Sequence, residues 1–325
     1  MSTGVARRAG VGVAQRAVVD LADRLGVTLP AVARPGADLV ARWRRGESWP
    51  APAVLLRAAD GWVHPGPPTA WADFRALARS LGAPESAGAG LPDVSSLPAE
   101  VIDAEAGAWL LPAVAVRPGP ASPPAVPEPA ERPDLSGAMA VVLGTAWAAP
   151  LAGLLLHELG ARVVRVDDPR RPDPFPLRDA LAAGQDRVVP DLAVAEGRDA
   201  LRVLLARADL LVDGFTPRVL ANAGFGADVL AHDLPQLAHV RVAAFAADDR
   251  PGYGPAAECR GGWAARHDPP RLGRSSVADP VAGLLAALEA TVLLAAGRGA
   301  ARVSLEGAVG HLLAAERGAI VWGSA

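Results

Sequence analysis

Few residues in this chain of 325 can do chemistry, and their types narrow what that chemistry is. There is no lysine, so all 32 basic residues are arginine and a lysine Schiff base is excluded. Any phosphate must be held by arginine, helix N-termini or backbone amides. The six histidines and the single cysteine, Cys259, show no metal-ligand spacing. His157-Glu158 begins like a zinc-protease helix, but the second histidine position holds Ala161. Neither a Gly-x-Gly-x-x-Gly nor a Walker A sequence follows the strand expected at 140–143, which argues against NAD or ATP sites. The segment AADDRPGYGPAAECRGG (246–262) holds the only tyrosine, Tyr253, and the only cysteine, Cys259.

Alternating strands and helices must position that segment. Strands are expected at 140–143, 161–166, 210–213, 239–245 and 301–305. Helices are expected at 151–159, 196–208, 227–234, from about 280 to 296, and from 306 onward. Asp279 reads as an N-cap of the fourth of these helices, with Pro280 at its first position. Short strands alternating with helices predict a parallel sheet covered on both faces, an α/β fold of Rossmann-like type. The stretch RPGPASPPAVPEPAERP (117–133) disfavours helix and sheet and predicts a semi-rigid spacer. It separates an N-terminal block, 1–116, from a C-terminal block, 134–325. In the first block, 13–25, 36–45 and 70–82 read as helices and 54–66 as strand-turn-strand, a smaller α+β domain.

Composition sets the class. Hydrophobic residues make up 51% and charged residues 21%, the balance of a folded chain. A net charge of -3 gives no pull toward nucleic acid or acidic membranes. One cysteine, together with an N-terminus lacking an apolar leader, points to a cytoplasmic protein. The apolar run 281–296 carries Glu289 and reads as a buried helix rather than a membrane span.

Four segments, in order, resemble the family III CoA-transferases of the CaiB/BaiF group, which includes α-methylacyl-CoA racemases. They are VVLGTAWAAPLAGLLLHELGARVVRVDDP (141–169), GQDRVVPDLAVAEGRDALRVLLARADLLVDGFTPRVL (184–220), RPGYGPAAECRGG (250–262) and RLGRSSVADPVAGLLAALEA (271–290). The segment VLLRAADGWVHPGPPTAWADFRALARSLG (54–82) resembles a portion that the family places after the region ending here at about Leu313. The resemblance therefore implies a circular permutation; the alternative is an unrelated N-terminal domain.

The resemblance also implies a reaction and a ligand. Family members use an aspartate, following Gly-Tyr, to attack an acyl-CoA carbonyl; that position is Gly254 here, and the family's glutamine four residues on is Glu258. With the nucleophile position lacking a side chain, Glu258, Asp249 and Asp248 are the candidate catalytic carboxylates. Coenzyme A or acyl-CoA would contact Ala148, Pro150, Asp168, Arg171, Arg187 and Phe215; no metal is implied. The family pattern departs at Ala149, Asp186 and Gly214, and Asp186 would repel phosphate. Three functions follow as expectations: a CoA-transferase or acyl-CoA racemase, an inactive homologue serving as partner subunit or acyl-CoA scaffold, or an enzyme of other acyl-thioester chemistry. The implied assembly is a homodimer or a heterodimer with a related active subunit.

Overall fold

The computed structural model describes residues 53–84, 90–126, 133–170, 173, 177–273 and 275–317. The helices expected at 13–25 and 36–45 lie outside the described residues.

The N-terminal block holds a three-stranded antiparallel sheet. Strands β1 (Leu56–Arg57) and β2 (Trp62–His64) form the expected strand-turn-strand, and β3 (Val114–Ala115) pairs with the other side of β2. Helices α1 (Trp71–Ser80) and α2 (Ala99–Ala108) belong to the same block, and Phe74, Leu77, Ile102 and Ala106 share a buried cluster with Val63 and Ala115. Asp60, in the β1–β2 turn, accepts from the Ala99 N–H at 2.8 Å and so satisfies one orphan donor of α2.

The C-terminal block is a six-stranded, wholly parallel sheet in the order β6-β5-β4-β7-β8-β9. Its strands are β4 (Met139–Leu143), β5 (Arg162–Val166), β6 (Asp186–Val188), β7 (Leu210–Asp213), β8 (Ala238–Ala243) and β9 (Ala300–Ser304). Between them run α3 (Ala148–Glu158), α4 (Arg178–Leu181), α5 (Ala195–Leu205), α6 (Pro217–Asn222), α7 (Ala227–Asp233), α8 (Gly254–Arg260) and α9 (Ala278–Ala295); α10 (Leu305–Glu316) follows β9. The chain winds outward in one direction from β4 through β5 to β6, and in the other through β7, β8 and β9. The two halves part between β4 and β7, the switch point where a parallel sheet opens a crevice at its carboxyl ends.

One face of this sheet is covered by α3 and α9. Both are apolar on nearly every side, which buried central helices require. Small residues bring them close: a β-carbon on Gly283 of α9 would stand 2.8 Å from the Ala148 carbonyl and 2.9 Å from a Leu151 methyl. Helix α9 has a mean hydropathy of 1.6 over its 18 residues, and 72% of it is buried within the fold. Its apolar length is used as core.

The proline-rich stretch does not run free over the part described. Arg117 N–H donates to the Cys259 carbonyl at 3.0 Å and Ala121 N–H to the Gly261 carbonyl at 3.2 Å. Gly310 of α10 leaves no room for a β-carbon beside the Ala121 and Ser122 carbonyls, and Val126 is fully buried. Residues 117–126 are an extended strap laid on α8 and α10; residues 127–132 lie outside the described residues.

Candidate active site

Helix α8 starts at Gly254, immediately after extended Tyr253, with Pro255 suited to the first turn. It is short, and every residue from Gly254 to Cys259 is buried. The start of α9 packs against it. A β-carbon on Gly254 would overlap Ser276 Oγ and Asp279 Oδ2 and would stand 2.6 Å from Ser276 Cβ. The space where a side chain at 254 would begin is therefore already filled by α9. Only glycine fits.

The entry to α9 differs from the cap expected at Asp279. The helix begins at Ala278, and Asp279 lies in its first turn. Ser276 Oγ accepts from the Asp279 N–H at 3.3 Å, so the serine serves the helix end and the aspartate side chain turns toward Gly254. Asp279 is 5% exposed, and its Oδ2 has no hydrogen-bond partner among the described residues. One turn along α8 from Gly254, Glu258 is 1% exposed and accepts from the Val277 N–H at 2.8 Å. Burial pushes the Glu258 carboxyl up to about 7, against hydrogen bonds from Val277 and Ser276, with the nearby Asp279 charge raising it further. Burial pushes Asp279 up to about 6, opposed by its hydrogen bond with Ser276. A hydroxyl and a carboxyl group from the start of the 18-residue α9 thus crowd Gly254, and the Glu258 carboxyl lies beside them.

The other two carboxylate candidates are placed differently. Asp248 accepts from the Arg250 N–H at 2.9 Å, and its Oδ2 lies 2.8 Å from both Arg250 Nε and Arg260 Nη1. Burial opposes its charge, but these partners outweigh that and hold it below the usual carboxylate range. Asp249 is exposed and pairs with Arg302 at 2.7 Å. Both turn their oxygens to arginines, whereas Glu258 turns one to the Val277 N–H and Asp279 turns Oδ2 to Gly254.

Arg250 extends this network into the N-terminal block. It is 4% exposed, donates to the carbonyls of Asp103 at 2.9 Å and Ala113 at 3.1 Å, and pairs with the Asp103 carboxylate. Asp103, also buried, takes Arg117 on its other oxygen at 3.0 Å. Tyr253, Pro255 and Ala256 meet His64, Gly66, Trp71 and Pro112 across a small cleft.

The residues expected to meet coenzyme A follow the carboxyl ends of adjacent strands. Ala148 and Pro150 open α3 beyond β4, and both are buried. Phe215 follows β7, with its N–H donating to Asp213 at 2.8 Å. Between them the turns close up: Ala149 Cβ would be 3.1 Å from a β-carbon on either Gly144 or Gly214. Asp168 follows β5 and pairs with Arg170 at 3.3 Å; Arg187, on the edge strand β6, pairs with Asp167. Asp186 is matched by Arg162 at 2.9 Å, so its charge does not stand alone at the edge. Arg171 lies outside the described residues. A further residue in this neighbourhood carries no sequence signal of its own: Arg165, 2% exposed, is held by Asp167 at 2.8 Å and Asp173 at 3.0 Å, with one terminal nitrogen left without a partner among the described residues.

A family model, CoA-transferase family III, matches residues 135–305. The succinyl-CoA–D-citramalate CoA-transferase of Chloroflexus aurantiacus is 30% identical over 175 residues, 47% of this chain and 43% of the relative. The beta subunit of succinyl-CoA–L-malate CoA-transferase from the same organism is 30% identical over 171 residues, 46% of this chain and 42% of that one. This chain thus matches less than half the length of these curated relatives. A solved structure of a variant of Rv3272 from Mycobacterium tuberculosis superposes with a TM-score of 0.50 at 23% identity, covering 60% of this chain and 57% of that one, which is a likeness of fold. The family match takes in the parallel sheet through β9, the α8 segment and α9, and on that ground the chain belongs to CoA-transferase family III.

Proposed function

We propose that this protein binds a CoA thioester at the carboxyl ends of β4, β5, β6 and β7 and acts on it as an acyl-CoA:acid CoA-transferase. The observation that carries the reading is the family match over 135–305 falling on a parallel sheet whose switch point lies between β4 and β7. Around that crevice, Ala148 and Pro150 would shape the wall, and Phe215 would offer an apolar contact. Arg187, together with Arg171, would supply charge-assisted hydrogen bonds to phosphate, a role that falls to arginine in a chain without lysine. Asp168 would orient Arg170 by the pair already formed.

The reading extends to assembly and layout. The N-terminal block is taken as the displaced later part of the family fold, ending at about 116 and joined by the strap to the sheet block from 134. Its contact with the loop leading into α8, through Arg250 and Asp103, supports that placement. A homodimer, or a heterodimer with a related subunit, fits a relative that is itself named as a beta subunit. A cytoplasmic setting fits a buried lone thiol and an apolar helix used as core.

Equilibrium dialysis of the full chain against CoA and succinyl-CoA tests the reading. Saturable binding that weakens at least about tenfold in Arg187→Glu is expected, the scale of losing a charge-assisted contact. Binding that is absent, or indifferent to that reversal of charge, would overturn it.

A further inference from the structure

We infer that Asp279 is the carboxylate that accepts the acyl group, standing in from α9 for the side chain that residue 254 lacks. The inference rests on the CoA-thioester reading above and deepens it by naming the reacting atom. Three observations carry it. First, Oδ2 of Asp279 occupies the space where a β-carbon at 254 would be, so a carboxylate is present at that spot although residue 254 supplies none. Second, that oxygen is buried and without a hydrogen-bond partner among the described residues, whereas Glu258 spends an oxygen on the Val277 N–H and Asp248 and Asp249 are held by arginines. An unpartnered buried carboxylate oxygen is a destabilising feature that structures rarely keep without use. Third, Asp279 sits in the first turn of an 18-residue helix, whose dipole favours a negative charge there.

The neighbours suit the role. Ser276 orients the carboxyl group, and Glu258 is the second acid facing it. Tyr253 and Pro255, on either side of Gly254, line the cleft between α8 and the N-terminal block. In the step inferred, an Asp279 oxygen bonds to the thioester carbonyl carbon and the carbon–sulfur bond breaks. The electron pair leaves on sulfur as CoA thiolate. The thiolate then attacks the Asp279 carbonyl carbon of the mixed anhydride, the carbon–oxygen bond to Asp279 breaks, and the donor acid departs as its carboxylate. CoA is left as a thioester on Asp279, ready for a second acid.

Incubation of the full chain with acetyl-CoA, followed by hydroxylamine and peptide mass spectrometry, reads this directly. The expected product is a hydroxamate at Asp279, falling to background in Asp279→Asn while dialysis still shows CoA bound. The asparagine is isosteric, and circular dichroism confirms that the variant is folded; should it unfold, site assignment on the unaltered chain decides alone. A hydroxamate at Glu258, Asp248 or Asp249 instead overturns the inference, as does bound CoA with no hydroxamate. Loss of CoA binding by the unaltered chain overturns both this inference and the reading it rests on.

Discussion

Gly254→Asp restores the residue that the family pattern places after Gly-Tyr, and the structure gives a sharp expectation for it. The β-carbon alone meets Ser276 Oγ, Asp279 Oδ2 and, at 2.6 Å, Ser276 Cβ. The two oxygens end side chains, but Ser276 Cβ is fixed to the backbone leading into a buried helix and cannot swing aside. Overpacking of this kind costs about 1–3 kcal/mol, and a third carboxyl group set among Glu258 and Asp279 adds a like-charge or desolvation penalty of about 1–2 kcal/mol. A total near 3–4 kcal/mol lowers Tm by roughly 4–6 °C for a chain of this size. Gly254→Ala carries only the packing part and is expected to lose about half as much. Combining Gly254→Asp with Asp279→Gly removes the colliding carboxylate and is expected to recover most of the loss. Differential scanning calorimetry on the set checks the series. A Gly254→Asp protein as stable as the original would refute the claim that α9 fills the site.

The remaining predictions concern charge and capping. Glu258 and Asp279 have native pKa values raised to about 7 and about 6, so the native state binds more protons than the unfolded chain between about pH 4 and 7. Stability is therefore greatest on the acid side of that window and falls as pH rises through about 7, by about 3 kcal/mol for Glu258 alone; Glu258→Gln is expected to flatten a profile of Tm from pH 5 to 8. Asp103→Ala removes one of the two carboxylates that hold buried Arg250, Asp248 being the other, and should cost about 1.5–3 kcal/mol in urea unfolding, against less than 1 kcal/mol for Glu100→Ala at the exposed Arg117 pair. Ser304→Ala removes the oxygen that accepts from the Gly307 N–H at 2.9 Å at the start of α10, a loss of about 1 kcal/mol measurable by the same method.

Much of the sheet block was legible because its signals are local. Each expected strand from 140–143 to 301–305 is a short apolar run and each expected helix a periodic one, and the structure places elements at all of them. The pieces that sequence reasoning missed are those with weak local pattern. Strands β3 and β6 are two and three residues long. Helix α8 opens on Gly-Pro, which reads as a turn, and α2 has its charged residues spread among alanines. The proline stretch reads as a spacer from its composition, yet its first half gives hydrogen bonds to α8 that no composition reveals.

For the site, Gly254 and Glu258 could be singled out because the segment they share carries the family resemblance. Asp279 could not: an Asp-Pro at a helix start reads as a cap, and only the fold shows Ser276 taking the helix end and freeing the aspartate to face Gly254. Arg165 was hidden in the same way, as one letter in an apolar strand. Contacts between distant segments decide both cases.

Net CoA transfer tests the central claim most directly. The full chain is supplied with an unlabelled acyl-CoA and an isotopically labelled carboxylic acid, and the thioester pool is followed by mass spectrometry. The account predicts that label enters the thioester, and that Asp279→Asn abolishes this while CoA still binds. A thioester pool that stays unlabelled although CoA is bound, or label entry that persists in Asp279→Asn, would contradict it.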